Sequence, residues 1–100
     1  MNIQEEIKNL INTNNVILFM KGDRKFPQCG FSGLACQILD LCEANYETVN
    51  FLADNNIREG IKTYSNWPTI PQLYIKGEFI GGADIMREMY ESGELKKLLD

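Results

Sequence analysis

Apolar and polar positions along this chain follow two periods. Ile3, Ile7, Leu10 and Ile11 recur at the spacing of one helix face, and Thr13, Asn14 and Asn15 then supply turn residues. The unbroken apolar run from Val16 through Ile17, Leu18 and Phe19 to Met20 predicts a strand buried on both faces. Residues 21–28 contain Gly22, Asp23 and Pro27 and read as a loop, and the pattern over 30–44 is helical. A second strand is expected over 46–51. Asp54 is placed to cap a helix running through Arg58, Ile61 and Tyr64, which Ser65, Asn66, Trp67 and Pro68 end. Residues 71–76 alternate as a strand and turn through Gly77 into Phe79 and Ile80, a hairpin. Gly81 and Gly82 close that hairpin, Asp84 is expected to cap a last helix, and a break near Ser92 and Gly93 precedes a helical end over 94–99.

The resulting order α-β-α-β-α-β-β-α implies one parallel strand pair joined by a right-handed crossover and followed by an antiparallel hairpin. Helices then cover both faces of a four-stranded mixed sheet in an α/β architecture. At 100 residues the chain is expected to form a single domain over 1–100.

Composition narrows the chemistry. A hydrophobic fraction of 44% with 24% charged residues is that of an ordinary globular protein rather than a membrane one. A formal charge of -4 argues against a nucleic-acid partner, because phosphate binding needs clustered Lys and Arg. The chain has no histidine, which excludes Cys-His and Ser-His-Asp catalysis and every metal site that needs an imidazole. Its three cysteines, Cys29, Cys36 and Cys42, match neither a disulfide framework nor paired zinc ligands. They fit a reducing compartment, and the first residues carry no basic apolar leader, so a cytoplasmic location is expected.

Cys29 falls at the predicted helix start, where unpaired N–H groups and the helix dipole favour thiolate over thiol. It also lies just past the carboxyl end of the first strand, where open α/β sheets place ligand sites. A small residue at a helix start is the plainer reading of the same position. Ser32 stands where a redox dithiol would carry its second sulfur, so Cys29 has no partner for a local disulfide. On the predicted helix Cys42 falls in the apolar arc, as a core residue, while Cys36 falls at its boundary. Cys36 lies about 10 Å along the helix axis from Cys29 at about 1.5 Å per residue, beyond the reach of an unstrained disulfide.

Several runs together resemble the monothiol glutaredoxins of the thioredoxin-like fold. They are Met20-Lys21-Gly22, the Cys-Gly-Phe-Ser stretch at 29–32, Arg58 through Lys62, the stretch from Trp67-Pro68 to Pro71-Gln72, and Gly81-Gly82-Ala83-Asp84-Ile85. They occur in family order across nearly the whole chain. The resemblance implies a glutaredoxin fold with about five helices around the four-stranded sheet, and a cis bond before Pro71 facing Cys29. Read alone, Pro71 is a trans proline opening an edge strand.

By the same resemblance, glutathione is expected on Lys21, Cys29, Phe31, Arg58, Ile70, Pro71, Gly82, Ala83 and Asp84. Lys21 and Arg58 suit its carboxylates and Asp84 its ammonium, while Gly82 permits close backbone approach. Taken singly, Lys21, Arg58 and Asp84 are solvated surface charges. Lys62, Trp67 and Thr69 are further, weaker candidates for the same ligand. Ala83 departs from many relatives, which carry Cys there. The resemblance further implies that Cys29 ligates a 2Fe-2S cluster shared between two subunits, two glutathiones supplying the remaining thiolates. The expected function is then a cluster carrier, a glutathione-bridged homodimer when loaded. It would receive its cluster from an iron-sulfur scaffold, pair with a BolA-like protein and deliver to apo-protein clients. The alternative is a glutathione-dependent monothiol oxidoreductase that reduces protein-glutathione mixed disulfides through Cys29.

Overall fold

The computed structural model describes residues 2–100. Five helices and four strands follow in the order α1 (Ile3–Thr13), β1 (Val16–Met20), α2 (Gly30–Leu41), β2 (Glu47–Asn50), α3 (Asn55–Ser65), β3 (Gln72–Ile75), β4 (Glu78–Gly81), α4 (Ala83–Ser92) and α5 (Glu94–Leu99). The strands lie in the order β2-β1-β3-β4. β1 runs parallel to β2 and antiparallel to β3, and β4 pairs antiparallel with β3. This is the expected mixed α/β sheet, and among the described residues no helix is long and apolar enough to cross a membrane.

The buried run of β1 divides the core. Val16, Leu18 and Met20 point to a cluster with Leu39 of α2, Met86 of α4 and Leu95 of α5. Ile17 and Phe19 point the other way, toward Ile7 and Ile11 of α1, Ile57 and Ile61 of α3 and Tyr74 of β3. A period of two sorts consecutive apolar residues onto opposite faces, so a continuous hydrophobic strand requires helices on both sides.

Several boundaries differ from the sequence expectation. α2 stops at Leu41 rather than at 44, in a Schellman motif. Ala44 N–H donates to the Leu39 carbonyl at 3.0 Å and Glu43 N–H to that of Asp40 at 3.0 Å, with Glu43 left-handed at φ 56. Asp84 does not cap α4: the N-cap is Gly82, which makes no side-chain cap bond, and Asp84 sits in the first turn. There its carboxylate still faces the positive end of the helix dipole. The strands expected over 46–51 and 71–76 are shorter by one residue at each end. The β3-β4 turn has Lys76 at φ 52 and Gly77 at φ 84, both left-handed, as a two-residue hairpin turn requires. The Ile70-Pro71 bond is cis, as the family resemblance implied.

Candidate functional site

The carboxyl end of β1 leads through the 21–28 loop to α2, whose N-cap is Cys29 in extended backbone (φ -154, ψ 156). The helix start aims backbone donors at the sulfur, and Ser32 N–H lies 3.4 Å from Cys29 Sγ. Ser32 is fully buried. Its hydroxyl accepts from Lys21 N–H at 3.0 Å and lies 3.4 Å from Cys29 Sγ. With a lone pair taken by Lys21, the hydroxyl accepts from the thiol and donates to the thiolate. Partial burial pushes the Cys29 thiol up, but the Ser32 hydroxyl, the Ser32 and Phe31 backbone and the Lys21 charge outweigh it. The net direction is downward from the ordinary thiol value.

Beside Cys29 opens a groove of about 620 Å³. Lys21, Phe31, Arg58, Ile70, Pro71, Gly82, Ala83 and Asp84 all line it, so the structure brings eight of the nine sequence candidates together. The ninth, Cys29, stands at the adjoining helix start between the lining residues Lys21 and Phe31 in sequence. Lys62, Trp67 and Thr69 line the same groove. Phe51, Leu52, Pro68 and Ile85 also do: Pro68 and Ile85 stand within the runs that carry the resemblance without being site candidates there, and Phe51 and Leu52 lie in a loop whose approach to the groove is tertiary. Arg58 and Lys62, one helical turn apart, both stand near the Phe51 ring, with Cζ 5.6 Å and Nζ 5.8 Å from its centroid.

Charge is segregated across the groove. Lys21, Arg58 and Lys62 present cations, while the α4 start presents Gly82, Ala83 and the Asp84 carboxylate. Such a groove complements a small extended molecule with a carboxylate at its cationic end and an ammonium-bearing group at the other. Gly82 comes so close to the strand entry that a Cβ there would lie 3.3 Å from the Pro71 carbonyl oxygen. The loop that contributes Trp67 and Thr69 is held from below by the buried Gln72. Its Nε2 donates to the carbonyls of Trp67 at 3.1 Å and Thr69 at 3.2 Å, while its Oε1 accepts from Tyr74 Oη at 3.1 Å.

Of the other two thiols, Cys36 is the more deeply buried. Its Sγ lies 3.5 Å from Met20 Sδ, and burial pushes the thiol up. Cys42 is only partly buried: it packs against the core from the C-cap of α2, because the helix ends earlier than its apolar pattern. Its thiol is also raised by burial. Neither lies in a group of residues that could hold a metal ion, and no such group occurs among the described residues.

A glutaredoxin family model matches residues 16–80. The chain is 54% identical over 94 residues to an uncharacterized monothiol glutaredoxin of Synechocystis, covering 94% of this chain and 88% of that protein. The solution structure of a monomeric truncated mutant of Trypanosoma brucei 1-C-Grx1 superposes with a TM-score of 0.89 at 40% identity, covering 99% of this chain and 89% of that one. The crystal structure of a buckwheat glutaredoxin-glutathione complex shares the fold, with a TM-score of 0.85 at 24% identity over 97% of this chain and 86% of that one.

Proposed function

The chain belongs to the glutaredoxin family, among relatives named for a single active thiol, and from that premise we propose that it binds glutathione in the groove and carries a 2Fe-2S cluster. Two copies each contribute Cys29, and two bound glutathiones contribute the other two thiolates. The loaded form is a glutathione-bridged homodimer that accepts the cluster from a scaffold and passes it to apo-proteins, with a BolA-like protein as an alternative partner subunit. One observation carries this reading: a single thiolate-favouring sulfur stands at a helix start beside a groove suited to a dicarboxylate with one ammonium, and the neighbouring hydroxyl is buried beneath it.

Within the groove, Lys21 and Arg58 hold the glycine carboxylate of glutathione, while at its γ-glutamyl end the N–H groups of the α4 start take the carboxylate and Asp84 the ammonium. The backbone beside Pro71 runs along the peptide. This arrangement brings the glutathione sulfur toward Cys29. The cluster is cargo, and this chain's part is to present one thiolate and to orient a second. Because half of the ligands are exchangeable small molecules, transfer to a client that offers more thiolates is favoured.

The lowered Cys29 thiol supports a second activity. The thiolate attacks the glutathione sulfur of a protein-glutathione mixed disulfide, the Cys29–glutathione disulfide forms and the client thiolate leaves. A second glutathione thiolate then attacks the bound glutathione sulfur, releasing oxidised glutathione and restoring the Cys29 thiolate. Ser32 cannot resolve the mixed disulfide, so the second glutathione is obligatory.

Calorimetric titration with glutathione, followed by anaerobic reconstitution of wild type and Cys29→Ser with iron and sulfide, separates these activities. Visible absorption that requires both glutathione and Cys29 is the expected result. Glutathione binding with no chromophore would leave the oxidoreductase alone, and a chromophore retained in Cys29→Ser would overturn the ligand assignment.

A further inference from the structure

The 21–28 loop joins the groove residue Lys21 to Cys29, and its internal bonds make it a small hairpin. Gly22 bridges Pro27, Gln28 N–H donates to the Lys21 carbonyl at 2.8 Å, and Asp23 Oδ1 accepts from Lys25 N–H and Phe26 N–H, each at 2.9 Å. These bonds shape the hairpin without tying it to the body of the protein, and a lone hairpin in water is marginal. At its base, Gly22 N–H donates to Asn50 Oδ1 at 3.0 Å. At its tip the tie is Arg24. Its Nη2 meets Asp40 Oδ1 of α2 at 2.7 Å, and its Cζ stands 4.3 Å from the centroid of the Tyr46 ring. Tyr46 Oη donates at 3.1 Å to the same Asp40 oxygen, so one carboxylate joins guanidinium and phenol in a network.

We propose that Arg24 is a positioning residue for the thiol site: by pinning the hairpin tip to Asp40 and Tyr46, it holds Lys21 where its N–H engages Ser32 Oγ and its side chain lines the groove. The link from tip to sulfur is continuous. A hairpin freed at Arg24 pivots on its base, the Lys21 N–H to Ser32 bond loosens, and the Ser32 hydroxyl no longer faces Cys29 Sγ in one geometry. An isolated exposed ion pair contributes little, and both partners here are half exposed. Stacking on the nearly buried Tyr46 ring and the shared carboxylate make this pair part of a network rather than an isolated contact. Tyr46 also lies against the buried Cys36, so Cys36 reports on whether this corner is closed.

The consequence for glutathione rests on the function proposed above; the consequence for the thiols does not. The full chain is compared as wild type, Arg24→Gln, Arg24→Lys, Asp40→Asn and the Arg24→Gln/Asp40→Asn pair. Asn2→Ala, which loses the α1 cap remote from the site, serves as a control of similar stability loss. In Arg24→Gln the Cys29 pKa rises, glutathione binds more weakly, and Cys36 alkylation quickens about tenfold, the worth of a stacked ion pair in a network. Arg24→Lys recovers part of each effect, and the double variant is no worse than Arg24→Gln alone. Asn2→Ala lowers the melting temperature without moving the Cys29 pKa. An Arg24→Gln protein with unchanged Cys29 pKa and Cys36 alkylation overturns the proposal, as does a Cys29 shift of equal size in Asn2→Ala. If wild type itself binds no glutathione, the function above fails, and the two thiol readouts still decide the role of Arg24.

Discussion

Ser32 shows how much the residue type at one position settles and how much depends on its contacts. In sequence it is the missing second sulfur. In the structure it is a fully buried hydroxyl that bridges Lys21 N–H to Cys29 Sγ. Ser32→Ala removes the donor to the thiolate and leaves a backbone donor without its partner, at a cost of about 1–3 kcal/mol. The Cys29 pKa then rises, measurable from the pH dependence of thiolate absorbance. In wild type a pKa below the ordinary thiol value makes Cys29 the most readily alkylated thiol at neutral pH, while Cys36 and Cys42 lie above theirs. Equal labelling of all three at neutral pH would contradict that order. Arg58→Ala is expected to weaken glutathione binding by about 1.5–3 kcal/mol, the worth of a charged hydrogen bond, read by calorimetry. The residues of the groove were legible because they belong to short runs that keep their order. Phe51 and Leu52 were not, since nothing local distinguishes a ring that carries two cations from one that fills a core.

At the scale of elements, period and turn chemistry identified every helix and strand, and the errors lie at the ends. The apolar pattern of α2 continues to Ala44, yet the chain turns at Glu43, a residue with no intrinsic preference for the left-handed region. Packing of Ala44 and Tyr46 against the core selects the turn, and periodicity carries no trace of it. Glu43→Gly relieves that conformation and is expected to stabilise the fold by about 0.5–1 kcal/mol, net of the greater freedom of glycine in the unfolded chain. The measurement is the urea midpoint, and a fall in it would show that the Glu43 side chain contributes more than its backbone costs. Asp84 was misplaced as a cap for a related reason. Gly82, chosen for its close approach to Pro71, occupies the cap position and leaves the carboxylate facing the groove instead.

Across the whole molecule, both faces of the sheet carry an alkaline liability. Burial raises Tyr46 on one side, and on the other raises Tyr74 to about 12 from its ordinary 10.0. A group whose folded pKa is raised binds more protons in the folded state than in the unfolded one. Its stabilisation is therefore complete below pH 10 and is lost as pH climbs toward about 12. Urea midpoints are expected to fall steeply across that interval, and Tyr74→Phe to flatten the slope. A midpoint independent of pH there would show that the Tyr74 phenol ionises without unfolding cost. Helices on both faces also leave the β1 carboxyl end as the open edge where a thiol and a cationic groove meet, and in the function proposed above a cluster held there is shared with a second copy. The most direct measurement is native mass spectrometry of anaerobically reconstituted protein. Two chains, one 2Fe-2S cluster and two glutathiones are predicted, and the assembly should separate when glutathione is removed. A cluster held by a single chain, or by two chains without glutathione, would contradict the account.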